Sequence, residues 1–308
     1  MQRLVECVPN ISEGRNPAVI EAVSRVVESV DGVRLLDVDP GKSTNRTVIT
    51  FVGPPEVIGE AAFRLIQKAA ELIDMTKHRG EHPRMGATDV CPFVPVSGVT
   101  MEECAAIAHA LGERVGAELG IPGYFYESAA KTSERKNLAH CRKGQYEGLA
   151  KLETAEGAPD FGPAAWNEQT QKSGATAIGA RDFLIAYNIN LNTTSSRRAN
   201  AIAFDIRESG RVKRTGGPGS PIVKDANGEP ERIPGSLKAV KGIGWYIEEY
   251  GVAQISYNLT NINVSPLHEV FDKTCERAQA RGLRVTGSEL VGLVPKKVLI
   301  DAGVHFLK

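Results

Sequence analysis

"VRLLDVDPGKSTNRTVITFVG", Val33 to Gly53, holds two β-rich runs, Val33–Asp39 and Arg46–Gly53, on either side of the polar loop Pro40–Asn45. Such a loop between such runs predicts an antiparallel connection. Upstream lie a short strand, Leu4–Pro9, and an amphipathic helix that starts at Asn16-Pro17 and continues to about Val30, with apolar Ala18, Ile20, Val23 and Val27. Downstream, Pro54-Pro55 opens a helix through about Ile73, a placement that suits proline because the first helical N–H groups have no helical acceptor. "VCPFVPV" is the next strand, giving the order βαββαβ of a split-βαβ, ferredoxin-like unit. Met101–Leu119 is a further helix and Gly123–Glu127 a further short strand.

Gly157–Gly174 is rich in glycine and proline and has no hydrophobic period, so it reads as a linker. Beyond it the order recurs. Phe183–Leu191 reads as a strand, and Ser195–Glu208 as a helix capped by Ser195 or Ser196. Leu237–Glu249 and Val252–Thr260 read as a strand pair. Next come a helix capped by Ser265 and ending at Gly282, strand material in Arg284–Pro295, and a last helix from Pro295 to about Ala302. The expected fold is therefore α+β, with two ferredoxin-like subdomains, 1–177 and 178–308, arising by duplication. A ligand cleft or tunnel is expected between them. Gly210–Ser236, which contains "TGGPGS", lacks the P-loop form and reads as a surface loop.

Lys+Arg and Asp+Glu both total 37 in 308 residues, so net charge points to neither a nucleic acid nor a membrane surface. The five cysteines are odd in number, widely spaced and free of any C-x-x-C pair, which fits reduced thiols. With no signal-like apolar region, the cytoplasm is the expected address.

"HRGEHPRMG", His78–Gly86, carries His78-x-x-Glu81-His82, the inverzincin spacing. That chemistry needs a helix, which Gly80 and Pro83 both oppose, so no metal is expected. On an extended segment His82 reads either as a general acid/base, its unperturbed pKa lying near 6.5, or as a loop histidine satisfied by backbone. Polar clusters at the strand ends can bring Asn10, Asp39, Thr44, Asn45 and His82 to one rim. Asp37 and Asp39 share a sheet face. Trp166 reads as a core plug or an aromatic lid, and Trp245 as core.

"LVECVPNISEGRN", "LLDVDPGKSTNRTVITFVGPPE", "DMTKHRGEHPRMGATDVCPFVPV", "KGIGWYIEEYGVAQISYNL" and "GSELVGLVPKKVLIDAG" together resemble the glutamate formimidoyltransferases over nearly the whole chain. The resemblance implies transfer of the formimidoyl group of N-formimidoyl-L-glutamate to N5 of tetrahydrofolate. It implies His82 as the catalytic histidine and Gly162, Pro163, Ala164, Ala165, Trp166, Ser173 and Gly174 as parts of the folate-binding loop. Asp39 is a second catalytic candidate, placed to pair with a cationic formimidoyl group. Because both substrates carry carboxylates, Lys42, Arg46, Arg79, Arg84 and Arg181 are candidate grips, beside Asn10, Thr44 and Asn45. A homodimer is expected. The competing readings are formyl transfer from N-formylglutamate, a folate-binding module without turnover, and a zinc hydrolase.

Overall fold

The fully buried apolar side chains fall at alternate positions, Val5 and Cys7 in Leu4–Cys7 (β1) and Ile49 and Phe51 in Arg46–Gly53 (β4), and this period of two marks the core face of the first sheet. A computed structural model describes residues 2–155, 157–217 and 219–308. It is a mixed α+β structure of two compact units, the first ending at Asp182 and the second running from Phe183 to Lys308.

In the first unit β1 pairs antiparallel with β4 and with Thr88–Ser97 (β5), while Asn10–Ile11 (β2) continues β1 between the same neighbours. Arg34–Gly41 (β3) forms the expected hairpin with β4. Thr176–Ala180 (β7) and Gly123–Glu127 (β6) extend the sheet by parallel pairing. Pro17–Arg25 (α1), Ile58–Leu72 (α2) and Met101–Leu119 (α3) cover one face, where Val5, Ile49, Phe51, Phe93 and Phe125 meet Leu65 and Val115. Asn16 caps α1 through its side chain, and Thr100 with Glu103 forms a capping box on α3.

Among the described residues of this unit, the opposite face is covered over β5, β7 and β6. There Val90, Tyr124, Tyr126 and Ala177 pack against Leu149 and Leu152. That cover is the stretch from Ser128 to Ser173, which contains the short helices Leu138–Cys141 (α4) and Glu168–Ser173 (α5) and a 3₁₀ turn at Tyr146–Lys151. Both its helical turns and strand β7 go beyond the linker that the sequence predicts.

In the second unit Ile185–Leu191 (β8) lies between Val252–Leu259 (β12) and Val285–Val291 (β13), and Val240–Ile247 (β11) flanks β12. Ser196–Ile206 (α6), Leu267–Gln279 (α7) and Lys296–Phe306 (α8) cover one face through Ile202, Val270 and Val298. Ser195 caps α6. Ser265 does not cap α7; its hydroxyl donates to Lys238 O at 2.7 Å, and Pro266 occupies the cap position. The Gly210–Ser236 loop contains a two-stranded ribbon, Arg211–Val212 (β9) with Arg232–Ile233 (β10), and its Pro218 lies outside the described residues. Among the described residues no helix is long and apolar enough to cross a membrane.

Candidate active site

Residues directly opposite in paired strands share a face. Asp39 faces Val48, which faces Asn10, which faces Val90, so one row crosses the helix-free face of the first sheet. Asp37 stands opposite Thr50, and Glu6 opposite Val52 and Val94, on the same face. Where the 128–173 cover ends, these polar residues remain. Burial, and next the neighbouring Asp39, hold the Asp37 carboxyl above its ordinary range. Burial raises that of Glu6 as well, against the pull of Arg181.

The centre of this face is a buried charge cluster. Arg46 donates from Nε to Asn10 Oδ1 at 3.0 Å and from Nη1 to Asp89 Oδ2 at 2.5 Å. Arg142, from the covering segment, donates from Nη2 to the same carboxylate oxygen. Asp89 Oδ1 accepts from the Met85 amide at 2.9 Å. Burial would raise the Asp89 carboxyl, but Arg142 and then Arg46 hold it down at about 2. Two guanidiniums to one carboxylate leave an excess positive charge, and Arg142 Nε is buried without a hydrogen-bond partner. An anionic ligand suits such a centre.

His82 sits at this cluster, half-buried on an irregular segment. Its Nδ1 lies 2.7 Å from Pro83 O. A carbonyl only accepts, so Nδ1 carries the proton in the neutral ring and Nε2 carries the lone pair. Burial, reinforced by Arg46 and Arg142, pushes the imidazole down to about 3. The ring is neutral at physiological pH and configured as a base. Of the two sequence readings, the backbone contact at Nδ1 is present, and it leaves the lone pair on Nε2.

This shift predicts a pH dependence. A histidine whose folded pKa lies below its unfolded value near 6.5 makes the unfolded chain bind more protons, so stability falls as pH drops from 6.5 toward 3. His82→Gln is expected to flatten the urea-midpoint profile across that window; a profile as steep as the parent's would refute the assignment.

The backbone around His82 is held by close contacts. Asn45, at φ 49°, accepts from Gly14 N at 3.0 Å and donates to Arg79 O at 2.8 Å, and its own carbonyl accepts from His78 Nε2 at 2.9 Å. Glu81 N donates to Ser43 O at 3.3 Å. A Cβ on Gly80 would stand 2.3 Å from Thr44 O, so only glycine allows this approach. Gly80→Ala is expected to cost about 1–3 kcal/mol and to lower turnover by displacing His82, measured by denaturant unfolding and initial rates. Parent-like stability and rate would sink that account.

The other candidates divide between the face and its frame. His78 is buried, with Nε2 on Asn45 O and Nδ1 accepting from Arg84 Nε at 3.3 Å, so both its nitrogens are engaged away from His82. Among the described residues no group of three His, Cys, Asp or Glu is arranged to hold a metal ion. Arg84 makes a bidentate pair with Glu147 at 2.9 and 2.8 Å, a brace between the His82 segment and the cover. Arg79 donates to His78 O. Thr44 closes the hairpin turn onto Gly41 O at 3.0 Å, and Lys42 is exposed beside it. Arg181 lies within electrostatic reach of Glu6 and Tyr126.

Trp166 packs edge-on to Tyr146 at 5.6 Å. Gly162, at φ 76°, approaches Ile121 O so closely that a Cβ would stand 2.3 Å away. Pro163 to Ala165 follow as an irregular, partly exposed run. The far end of this loop meets the His82 segment. Gly174 bridges Gly86, Ala87 N donates to Ser173 O at 2.8 Å, and Ala175 N donates to Met85 O at 2.9 Å.

Sequence reasoning missed Asp89, Arg142 and Glu6. Asp89 did signal itself, as an acid in an otherwise apolar strand that needs a partner once buried.

The family model for the formiminotransferase domain, N-terminal subdomain, matches residues 4–181, and that for the formiminotransferase domain matches 186–308. The chain is 43% identical to a glutamate formimidoyltransferase of Streptococcus pyogenes, over 100% of this chain and 94% of that one. Identity to one of Thermoplasma acidophilum is 42%, over 99% and 92%. A formimidoyltransferase-cyclodeaminase of Gallus gallus is 52% identical, and the chain spans about half the length of such relatives, 53% in that case. Matched from Leu4 to Lys308 by the two domain models in succession, and over nearly the full length of two relatives, the chain belongs to the formiminotransferase family.

Proposed function

We propose that this chain is a glutamate formimidoyltransferase, moving the formimidoyl carbon of N-formimidoyl-L-glutamate to N5 of tetrahydrofolate and releasing L-glutamate. The observation that carries the reading is the His82 ring, its Nδ1–H spent on Pro83 O and its Nε2 left basic beside a cluster with excess positive charge. The names of the full-length relatives support it.

N5 attacks the amidinium carbon, forming the new C–N bond, and its proton passes to His82 Nε2. The same proton then goes to the departing glutamate nitrogen as the old C–N bond breaks, so His82 ends neutral. A carboxylate of either substrate arriving near Arg46 and Arg142 offsets their field, which otherwise suppresses the basicity of His82. The paired acids Asp37 and Asp39 attract the amidinium cation and hold it as charge shifts in the tetrahedral intermediate. Lys42, Thr44, Asn45, Arg84 and Arg181 serve as binding or framing residues around it. The Gly162–Gly174 loop contributes to folate binding, a role that its hydrogen bonds to Met85–Ala87 favour.

The like strand order of the two units, in which the first strand lies between the third and fourth and the second flanks the third, supports a duplicated ferredoxin-like architecture.

Formyl transfer from N-formyl-L-glutamate uses the same base on a neutral carbonyl, but the Asp37–Asp39 pair favours a cationic donor. The test is glutamate release with tetrahydrofolate and each donor. Faster turnover of the formimidoyl compound is expected. Turnover of the formyl compound alone would replace the reading, and release from neither would end it.

A further inference from the structure

Trp245 stands on the helix-free face of the second sheet, half-buried with Nε1 donating to Gln254 Oε1 at 2.9 Å, rather than in the core that the sequence predicts. A cluster of ionic groups lies on the other side of that sheet, at the C-terminal ends of α6 and α7. There a pocket of about 370 Å³ is bounded by Asp205 of α6, Arg277 of α7, Arg281 just past the end of α7, and Arg211 of β9. The stretch from Ile233 to Ser236 forms a further wall and is held against the end of α6. Ser236 N donates to Asp205 O at 2.9 Å, and a Cβ on Gly235 would stand 2.1 Å from Arg207 O.

The charges of this pocket do not balance. Both oxygens of the Asp205 carboxylate are taken, Oδ1 by Arg211 Nη2 and Oδ2 by Arg281 Nη2. Three guanidiniums therefore line the pocket with one carboxylate, an excess of two positive charges. Arg277 is the unmatched member. Its Nε is buried with no hydrogen-bond partner, and its Nη2 lies 3.6 Å from Glu276 Oε1, beyond hydrogen-bonding distance. Glu276 is itself exposed and already holds Lys273 Nζ at 2.7 Å. Burial and next the charge of Arg281 lower the Arg211 guanidinium, and burial and next Arg277 lower that of Arg281. Helix C-termini do attract cations. Here, however, backbone N–H groups take the last carbonyls, Leu237 N donating to Ile206 O and Leu283 N to Ala278 O, so neither Arg277 nor Arg281 is needed as a cap. Like charges with donors to spare favour an anion between them.

We propose that this pocket binds a phosphate group, as the free dianion or at the end of a phosphomonoester, with Arg277 and Arg281 donating to its oxygens. A dianion matches the two excess charges, and its several oxygens accept from more than one guanidinium at once, whereas a single carboxylate offsets half of the excess. Ile233, exposed at the rim, leaves the mouth open to the remainder of an ester. The pocket lies wholly within the second unit and shares no residue with the reaction proposed above.

Calorimetric titration of the full chain with inorganic phosphate and with glycerol 3-phosphate, above neutral pH and at an ionic strength held constant with sodium chloride, tests this. Saturable binding to the parent is expected. Arg277→Gln is expected to weaken it about tenfold, with an unchanged thermal midpoint in the absence of phosphate to show that the fold persists. Should that midpoint fall, Arg277→Lys, which keeps the charge and loses the planar fork, is read in its place and is expected to bind several-fold more weakly than the parent. Arg142→Gln removes a cation from the first unit's cluster and is expected to keep the affinity that Arg277→Gln loses. Binding of both compounds marks an open phosphoryl site, and binding of inorganic phosphate alone a site for the free ion.

Absence of saturable binding, or parent-like affinity in a folded Arg277→Gln protein, overturns the proposal. Affinity lost in Arg142→Gln and kept in Arg277→Gln overturns it in favour of the first unit's cluster. Tighter binding of tri-L-glutamate than of either phosphate, abolished by Arg277→Gln, overturns it in favour of a carboxylate ligand.

Discussion

Replacing His82 by alanine is expected to lower the rate of glutamate release by about 10² to 10⁴, equivalent to about 3–5 kcal/mol of barrier. The loss is expected to fall on kcat, because in the proposed mechanism the imidazole moves a proton and does not hold either substrate's carboxylates. The fold should persist, since the side chain contributes a hydrogen bond to its own neighbour, Pro83 O, worth only about 1 kcal/mol. The Arg46–Asp89–Arg142 cluster does not depend on the imidazole for its bonds and stays assembled. Glutamate release is measured with saturating tetrahydrofolate, beside unfolding curves for both proteins. A kcat within a few-fold of the parent would remove His82 as the proton carrier, and a drop matched by unfolding would leave only a structural role.

The parts of this molecule that were legible in its sequence are those with local causes. The β3–β4 hairpin follows from the polar turn Pro40–Asn45 between two β-rich runs, and α3 was placed at Met101–Leu119 by its apolar pattern. Asp37 and Asp39 share a face because strand alternation has a period of two. Strand β7 escaped because "TAIGA" is weak in β-formers and owes its state to parallel partners far away in sequence, β5 and β6. The turns around Arg142 carry no hydrophobic period, and they are held by long-range contacts such as Arg84 with Glu147. Trp245 was misplaced because its strand was read as uniformly apolar, whereas its face is set by Gln254 and Asn190 on neighbouring strands. For the candidate site, His82 stands out in the sequence through residue type and neighbours, and the fold places it beside Arg46, Arg142 and Asp89. Arg142 does not stand out, because only the folded chain shows that Asp89 needs two cations.

That dependence gives the largest stability effect expected here. Asp89→Asn leaves the Arg46 and Arg142 side chains, 8% and 15% exposed, without their shared carboxylate. Removing one partner from a buried ionic group typically costs about 3–5 kcal/mol, because the remaining charge keeps its desolvation penalty and loses its compensation. Arg142→Gln alone should cost less, since Asp89 retains Arg46, and the double variant should fall short of the sum. The pH dependence has a definite sign. A carboxyl held at about 2 against an ordinary 3.8 stabilises the fold fully above 3.8, and this contribution is lost as pH falls toward 2. The gap between parent and Asp89→Asn should therefore be widest near neutrality and narrow through that window. His82, present in both proteins, destabilises in acid from 6.5 downward, so its own contribution largely cancels in the difference. Urea unfolding of the pair from pH 7 to pH 2.5 measures it. A gap under about 1 kcal/mol at pH 7, or one indifferent to pH, would mean that the two guanidiniums are solvated well enough to need no counterion. The excess charge assigned to the site would then be too weak to draw a substrate carboxylate to His82.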